Sequence, residues 1–250
     1  MGNVSKPAAV LARAGTVLWL VLAGAPCAIA GDTWQLSAVA ASDHVQRGIS
    51  HSDAQPALQA GIAYRMPVGI HASMWGSTVS NGRTTLQDVA GDYELTYSAG
   101  YSFVPGPRWE VDISWARYTY PDSQSGIDYA YQEWMLSFGL DGWLWLTAAV
   151  SPDTTLYTRR GLDRDIRTYA WELAAQRALW PGLAAFGGIG YQDLSKGRAD
   201  SYTYFNLGLS GRLRAVDLQL QYVATRNAAR SYGSRLAGPR LVLGVMVGLQ

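Results

Sequence analysis

The sequence has 250 residues and a formal net charge of +1, and it contains 10 Trp and 15 Tyr but only one Cys. Its mean hydropathy of −0.03 excludes a bundle of membrane helices. Its arginines are dispersed and its net charge is near zero, so we expect no nucleic-acid partner.

Residues 1–30 match a secretory signal peptide. A basic segment that contains Lys6 precedes an apolar run, and a small-residue cleavage signal ends at Ala30. We therefore expect residues 1–30 to be removed and residues 31–250 to form a single domain. The proline before Cys27 disfavours lipid attachment there. The mature domain would hold no cysteine, so disulfides could not stabilise it.

A series of short segments follows, many of which alternate apolar and polar side chains. A period of two indicates extended strands with two unlike faces. The predicted strands are 33–42, 56–65, 68–78, 92–102, 109–119, 129–139, 142–151, 166–178, 183–192, 201–211, 215–225 and 239–249.

The segment 93–118 shows this alternation most clearly. Apolar side chains occupy the odd positions on both sides of the Pro-Gly-Pro break within 103–108, which predicts a hairpin. We expect Tyr97 to lie opposite Ile113 on the apolar face. Asp112 then falls on the polar face, and both strands agree on which side is apolar.

The connections between the predicted strands alternate in length. The short ones lie around 66–67, 103–108, 140–142, 179–182 and 211–214. The long, polar ones lie around 43–55, 79–91, 120–128, 152–165, 193–200 and 226–238. This alternation is typical of outer-membrane barrels, which have tight periplasmic turns, long external loops and an even strand number. We therefore predict an all-β, antiparallel, up-and-down transmembrane β-barrel with twelve strands in the Gram-negative outer membrane; a soluble β-sandwich is the alternative.

In a barrel the apolar face points outward to lipid and the polar face points to the lumen. Trp and Tyr favour the two membrane–water interfaces. Aromatics beside short turns predict a periplasmic girdle: Trp109, Trp143, Trp145 and Trp180. Aromatics at the long-loop ends predict an outer girdle: Trp75, Tyr118, Tyr120 and Tyr129.

Polar side chains at the inward positions are the candidates for lining a pore. These candidates are Glu94, Glu110, Asp112, Glu133, Glu172, Asp217, Gln219 and Gln221. An excess of carboxylates predicts a weak preference for cations. Arginines of the long loops around 152–165 and 226–238 could instead fold inward and pair with these acids, or bind lipopolysaccharide phosphates outside. Large inward residues, Phe186, Tyr202 and Tyr204, predict partial filling of the lumen.

One stretch resembles a known family. The segment 42–50, Ser-Asp-His-Val-Gln-Arg-Gly-Ile-Ser, followed by Pro-Ala-Leu-Gln at 56–59, is similar to the opening signature of the TorF-type family of outer-membrane porins. Further similar segments are 75–77, 118–121 and 201–203. The resemblance implies an outer-membrane barrel with a pore. We expect its partners to be outer-membrane lipids, lipopolysaccharide, the barrel-assembly machinery and small solutes. The chain departs from the family at His44 and Gln46, where aromatics are usual, and in its last residue, which is not aromatic.

Within this signature, Asp43, Arg47 and Gly48 permit two interpretations. In the structural one, the carboxylate and the guanidinium fix a loop at the mouth, and the glycine allows an unusual backbone angle. In the functional one, Arg47 folds into the pore and contributes to its selectivity.

Catalysis, metal binding and cofactors have little support in the sequence. Of the three histidines, His44, His51 and His71, the first two lie near serines of the first long connection, but no Gly-x-Ser-x-Gly motif follows a strand. No His or Cys pair has the usual ligand spacing. We therefore expect no enzyme activity, no cofactor and no metal. The two functions left open are a passive channel and a non-conducting or plugged barrel with a structural, lipid-binding or partner-binding role.

Overall fold

The computed structural model describes residues 33–79, 92–121 and 127–249. Within these ranges the chain forms a closed antiparallel barrel of twelve strands, which confirms the predicted fold class. Strands adjacent in the chain pair with each other, and the first pairs with the last to close the wall. The predicted signal peptide, Cys27 and the last residue, Gln250, lie outside the described residues.

Apart from the extended hairpin within 144–180, the barrel strands begin and end within a few residues of their predicted limits. They are β1 (Thr33–Ala41), β4 (Ala57–Arg65), β5 (Ile70–Thr78), β6 (Tyr93–Gly106), β7 (Trp109–Thr119), β8 (Tyr131–Leu140), β9 (Leu144–Thr158), β10 (Gly161–Trp180), β11 (Leu183–Asp193), β12 (Tyr202–Leu213), β13 (Val216–Arg226) and β14 (Arg240–Leu249). Two very short strands, β2 (Val45–Gln46) and β3 (Ile49–Ser50), lie between β1 and β4. Two single-turn helices, α1 (Ala229–Tyr232) and α2 (Ser234–Ala237), lie between β13 and β14. Among the described residues, no helix is both long and apolar enough to cross a membrane.

The two faces of the wall differ sharply in polarity. Outward positions expose large apolar side chains, such as Leu207 at 66% and Trp180 at 67%. Inward positions bury polar ones, such as Asp112 at 3%. A water-soluble barrel would place its apolar side chains inside, so this wall is inverted relative to a soluble core.

The pairing of β6 with β7 differs from the predicted register. Tyr97 lies opposite Arg117, and Ile113 lies opposite Tyr101, which is a shift of four residues. The shift arises because β6 continues through Pro105 to Gly106, with an irregularity after Phe103, so the turn is tighter than predicted. Bulges tolerate a proline that a regular ladder would not. An even shift preserves the faces, so Asp112 still points inward.

The predicted long loop at 152–165 is instead an extension of two strands. Thr158 pairs with Gly161, so β9 and β10 continue beyond the rest of the wall as a hairpin. The register shifts around Ile166 mark where this extension leaves the regular ladder. The run of threonines at the end of β9 suits extended backbone, because β-branched residues favour strands.

Candidate functional site

The first long connection folds into the lumen. In it, β2 and β3 pair as a short antiparallel hairpin, which we call the inner hairpin (residues 45–50). Its two turn residues, Arg47 and Gly48, have φ values of 45° and 80°. Positive φ at both central residues characterises a type I′ turn, whose twist suits a two-residue hairpin. The Arg-Gly pair of the signature therefore forms the tip of the hairpin.

Asp43 anchors the base of the inner hairpin. Its carboxylate accepts hydrogen bonds from Ser50 Oγ at 2.6 Å, from Ser52 Oγ at 2.8 Å and from Arg240 Nη1 at 2.6 Å. Arg240 begins the last strand, so Asp43 joins the hairpin to the wall there. The structural interpretation of Asp43 fits this geometry, although its guanidinium partner is Arg240 and not Arg47.

Arg47 extends across the lumen to the opposite wall. It donates two hydrogen bonds of 2.8 Å to the two carboxylate oxygens of Glu133 on β8, and one of 3.1 Å to Gln192 on β11. Burial alone would lower the pKa of Arg47, but the Glu133 carboxylate raises the pKa above its ordinary value. The guanidinium therefore stays charged. The Arg47 side chain bound to Glu133, which we call the strut, joins the inner hairpin to β8 across the lumen. Gln192 was not predicted as part of the site.

Gly48 lies against the wall beside the strut. A side chain there would overlap Thr225 Cγ2 and would come within 2.9 Å of Tyr204 Cβ. Behind it, Ile49 packs into a small apolar core that includes Leu236 of α2 and Tyr202. Glycine is thus required for two separate reasons, its positive φ and its close contact with the wall.

The four aromatics predicted for the outer girdle lie inside the barrel instead. Tyr118 is 8% exposed and stacks on Tyr131 at a centroid distance of 4.5 Å. Trp75 packs against His44 at 5.3 Å, and Tyr120 donates a hydrogen bond of 3.1 Å to Glu94. Tyr129 is likewise 8% exposed and borders the lumen cavity. The outer-girdle prediction for Trp75, Tyr118, Tyr120 and Tyr129 is therefore wrong.

The aromatics beside the short turns divide between the two faces. Three of them are exposed on the outside: Trp109, Trp143 and Trp180. Trp145 points inward, where it contacts Gly139 near Glu110. Strand parity explains the difference, because Leu146 next to Trp145 is 50% exposed on the outward face.

The eight candidate lumen residues all lie on the inward face, at different heights and with different partners. Glu133 is bound by Arg47, and Asp217 accepts two hydrogen bonds from Arg212, at 2.6 and 2.7 Å. Glu172 accepts a bond of 2.9 Å from the Tyr204 hydroxyl. Two of the acids are thus neutralised by arginine and one is bound by a neutral phenol.

Histidines are the partners of two further acids. His71 Nε2 lies 2.7 Å from Asp112 Oδ2, which also accepts a bond of 2.6 Å from Ser102. His51 Nδ1 lies 3.3 Å from Glu94 Oε2. The remaining candidates, Glu110, Gln219 and Gln221, are inward-facing side chains of β7 and β13.

The inward aromatics fill space on one side of the lumen, as predicted. Phe186 and Tyr204 are 6% and 5% exposed. Each lies across a glycine of the neighbouring strand, Phe186 over Gly208 and Tyr204 over Gly190. The absent side chains of these glycines leave room for the rings.

The loop arginines form ion pairs at the long-loop end. Arg160 contacts Asp200 at 2.7 Å, and Arg235 contacts the buried Asp53 at 2.7 Å. Neither arginine contacts one of the predicted lumen acids. Ser50 Oγ donates to Asp43, and Ser52 Oγ has two acceptors in range, Asp43 and the Gln55 carbonyl, so neither serine is arranged as a histidine-activated nucleophile.

A cavity of about 180 Å³ lies on the long-loop side of the strut. Arg47, Glu133 and Gln192 border it together with His51, Tyr120 and tyrosines of the surrounding strands. The inner hairpin borders this cavity, which we call the outer chamber.

The barrel resembles solved porins. The NanC porin aligns with a TM-score of 0.55 over 87% of this chain and 100% of that chain, at 12% identity. The KdgM porin aligns with a TM-score of 0.53 over 86% and 99%, at 8% identity, and its complex with disordered oligogalacturonate gives 0.54, over the same shares, at 9%. At these identities the similarity shows a shared fold. No curated protein matches the sequence, whereas one family model, described as a bacterial protein of unknown function (Gcw_chp), matches residues 28–242.

Proposed function

Because the chain belongs to the Gcw_chp family of bacterial proteins and has the porin fold, we propose that it is a passive outer-membrane channel for small solutes. The observation that carries this proposal is the inverted wall: apolar outside, polar inside and closed without an edge. Such a wall is stable in lipid because every strand is paired. The similarity to TorF-type porins, based on the segment 42–50, supports the same proposal.

The apolar outer face would contact lipid tails and lipopolysaccharide, and the barrel-assembly machinery would insert the chain. The long-loop end then faces the exterior and the short turns face the periplasm. In this twelve-stranded wall, the inner hairpin and the Arg47 side chain together reach across the lumen to Glu133. We therefore propose a passage for single small solutes or ions rather than for large molecules.

The charges of the lumen favour cations weakly. Arginine neutralises Glu133 and Asp217, whereas the partners of Glu94 and Asp112 are histidines. The negative charge that remains would attract cations. The KdgM porin has been solved with oligogalacturonate, an acidic sugar chain. We propose that the lumen of this chain is less suited to such anions than to cations.

Planar-bilayer recording tests the channel directly. Purified, detergent-folded protein should give discrete conductance steps whose frequency rises with protein concentration. The absence of steps at every concentration would contradict an open channel. It would favour a plugged barrel, the alternative that the buried strut between Arg47 and Glu133 supports.

Neutralising the inward acids should reduce the cation preference. In a KCl gradient, replacing Glu110 with Gln and Asp112 with Asn should move the reversal potential toward zero, since two lumen carboxylates are lost. Asp200→Asn is the matched control, because Asp200 pairs with Arg160 in the loops rather than in the lumen. An unchanged reversal potential in the double variant would show that these acids do not line the ion path.

A further inference from the structure

His44, His51 and Glu94 form a cluster of donor atoms beside the outer chamber. The Oε2 atom of Glu94 lies 3.9 Å from His44 Nε2 and 3.3 Å from His51 Nδ1. All three donor atoms lie within 4.8 Å of one another. We propose that this cluster binds a divalent transition-metal ion, such as Zn²⁺.

The separations suit a tetrahedral ion. With metal–ligand bonds of about 2.0–2.1 Å, donors at tetrahedral angles lie about 3.4 Å apart. Small side-chain rotations bring the three atoms to such distances around one ion. Two imidazoles and one carboxylate form a donor set that Zn²⁺ uses elsewhere, with the fourth position open to water or to another ligand.

The inner hairpin places the two histidines together. Its type I′ turn at Arg47 and Gly48 pairs Val45 with Ser50, and His44 and His51 are the next pair outward. The amide of His51 donates to the carbonyl of His44 at 2.6 Å, so the ladder continues to this pair. Directly opposed residues have neighbouring side chains. Their separation of seven in the sequence is therefore a hairpin spacing for ligands, although it is not a helical one.

The cluster is buried, and its carboxylate is only partly satisfied by hydrogen bonds. His44 is 0% and Glu94 is 1% exposed. Glu94 Oε1 is buried and has no hydrogen-bond partner among the described residues, which is a costly state for a carboxylate. A cation at the cluster would neutralise this carboxylate, and bidentate binding would also give Oε1 a partner.

Gln59 supplies support behind His44. Its side-chain amide nitrogen, Nε2, lies 3.0 Å from His44 Nδ1. A flip of this amide exchanges its nitrogen and oxygen; the oxygen then accepts the Nδ1 proton, and the lone pair of His44 Nε2 is directed at the cluster. Ligand histidines are commonly oriented in this way. On the other side, His51 is 22% exposed in its side chain and borders the outer chamber, which gives an ion a path to the site.

Metal titration tests the proposal without reference to conductance. Protein purified without a histidine tag, folded in detergent and treated with chelator should bind one Zn²⁺ per chain in calorimetry. Co²⁺ should give the visible absorption bands of a tetrahedral site. The variants His51→Ala and Glu94→Gln should each weaken Zn²⁺ binding at least tenfold, whereas His71→Ala, in the other buried His–carboxylate pair, should leave it unchanged.

Three outcomes would overturn the metal site: no saturable binding by the wild-type protein, wild-type affinity in both cluster variants, or equal loss in His71→Ala. Heat-dependent gel mobility of each variant verifies that the barrel is folded. Because binding and not current is measured, failure here leaves the proposed channel intact. Absence of conductance likewise leaves the metal site intact.

Discussion

Replacing Arg47 with Ala should give channels of severalfold larger conductance and a less stable barrel. The Arg47 side chain crosses the lumen to Glu133, with side chains that are 19% and 3% exposed, so its removal takes away a group that obstructs the proposed path. It also leaves Glu133 buried without its partner. We expect a loss of about 3 kcal/mol in the free energy of unfolding. This value is near the lower end of the range for removing one partner of a buried ion pair, because lumen water can then reach the Glu133 carboxylate.

A double-mutant cycle separates these two effects. Combining Arg47→Ala with Glu133→Gln removes both charges, and the stability should recover to within about 1 kcal/mol of the wild-type protein. The larger conductance should persist, because the strut is still absent. Urea unfolding in detergent and single-channel recording measure the two quantities independently.

Arg160→Ala is the matched control for this cycle. Arg160 also makes two hydrogen bonds to one carboxylate, that of Asp200, but it does so in the loops and is 47% exposed. Exposed pairs contribute at most about 1 kcal/mol, and conductance should not change. Wild-type conductance in Arg47→Ala would show that the ion path does not pass the strut. If only the variant conducts, the wild-type barrel is plugged.

The sequence predicted the wall well because alternation is a local property. The alternation within each strand shows which side chains share a face. Together with the loop lengths, this is enough to predict a closed barrel. The register of β6 and β7 is less local. It depends on where the chain turns, and Pro105 marked a turn in the sequence but lies within the strand at an irregularity. The predicted faces remained correct because the register was wrong by an even number of residues.

The same parity rule would have corrected the aromatic assignments. Tyr118 shares its parity with Asp112 and Ser114, and Trp75 shares its parity with His71, so these rings had to point inward. Interface preference is a statistical tendency of Trp and Tyr, whereas strand geometry is a steric constraint. Where the two disagree, geometry decides.

The partners of the site residues were the hardest part to predict. Arg47 and Glu133 are 86 residues apart in the chain, and Asp43 and Arg240 are 197 apart. Nothing in a local pattern joins such pairs, because each depends on how a loop folds into the closed barrel. By contrast, the pairing of His44 with His51 follows from counting outward from the Arg-Gly turn. That turn was visible in the sequence as a glycine after an arginine, but its type was not.

Gly48→Ala should release the inner hairpin from the wall and thereby reproduce much of the effect of Arg47→Ala. The new methyl group meets Thr225 and Tyr204, and the φ of 80° disfavours any side chain. We expect a stability loss of about 3 kcal/mol, of which the backbone term is about 1 kcal/mol and the steric conflict the remainder. Conductance should rise because Arg47, the preceding residue, is withdrawn from Glu133.

Gly142→Ala isolates the backbone term of this loss. Gly142 has a φ of 66° in a short turn, and an added Cβ would meet nothing within 4 Å. It should therefore cost only about 1 kcal/mol and leave conductance unchanged. Thr225→Ser provides the complementary rescue, since it deletes the methyl group that obstructs the new Cβ and keeps the hydroxyl that donates to Ala237 at 2.6 Å. In the Gly48→Ala background, Thr225→Ser should restore part of the stability and lower the conductance again. If Gly48→Ala behaves like Gly142→Ala in both measurements, contact between the hairpin tip and the wall is not what holds Arg47 across the lumen.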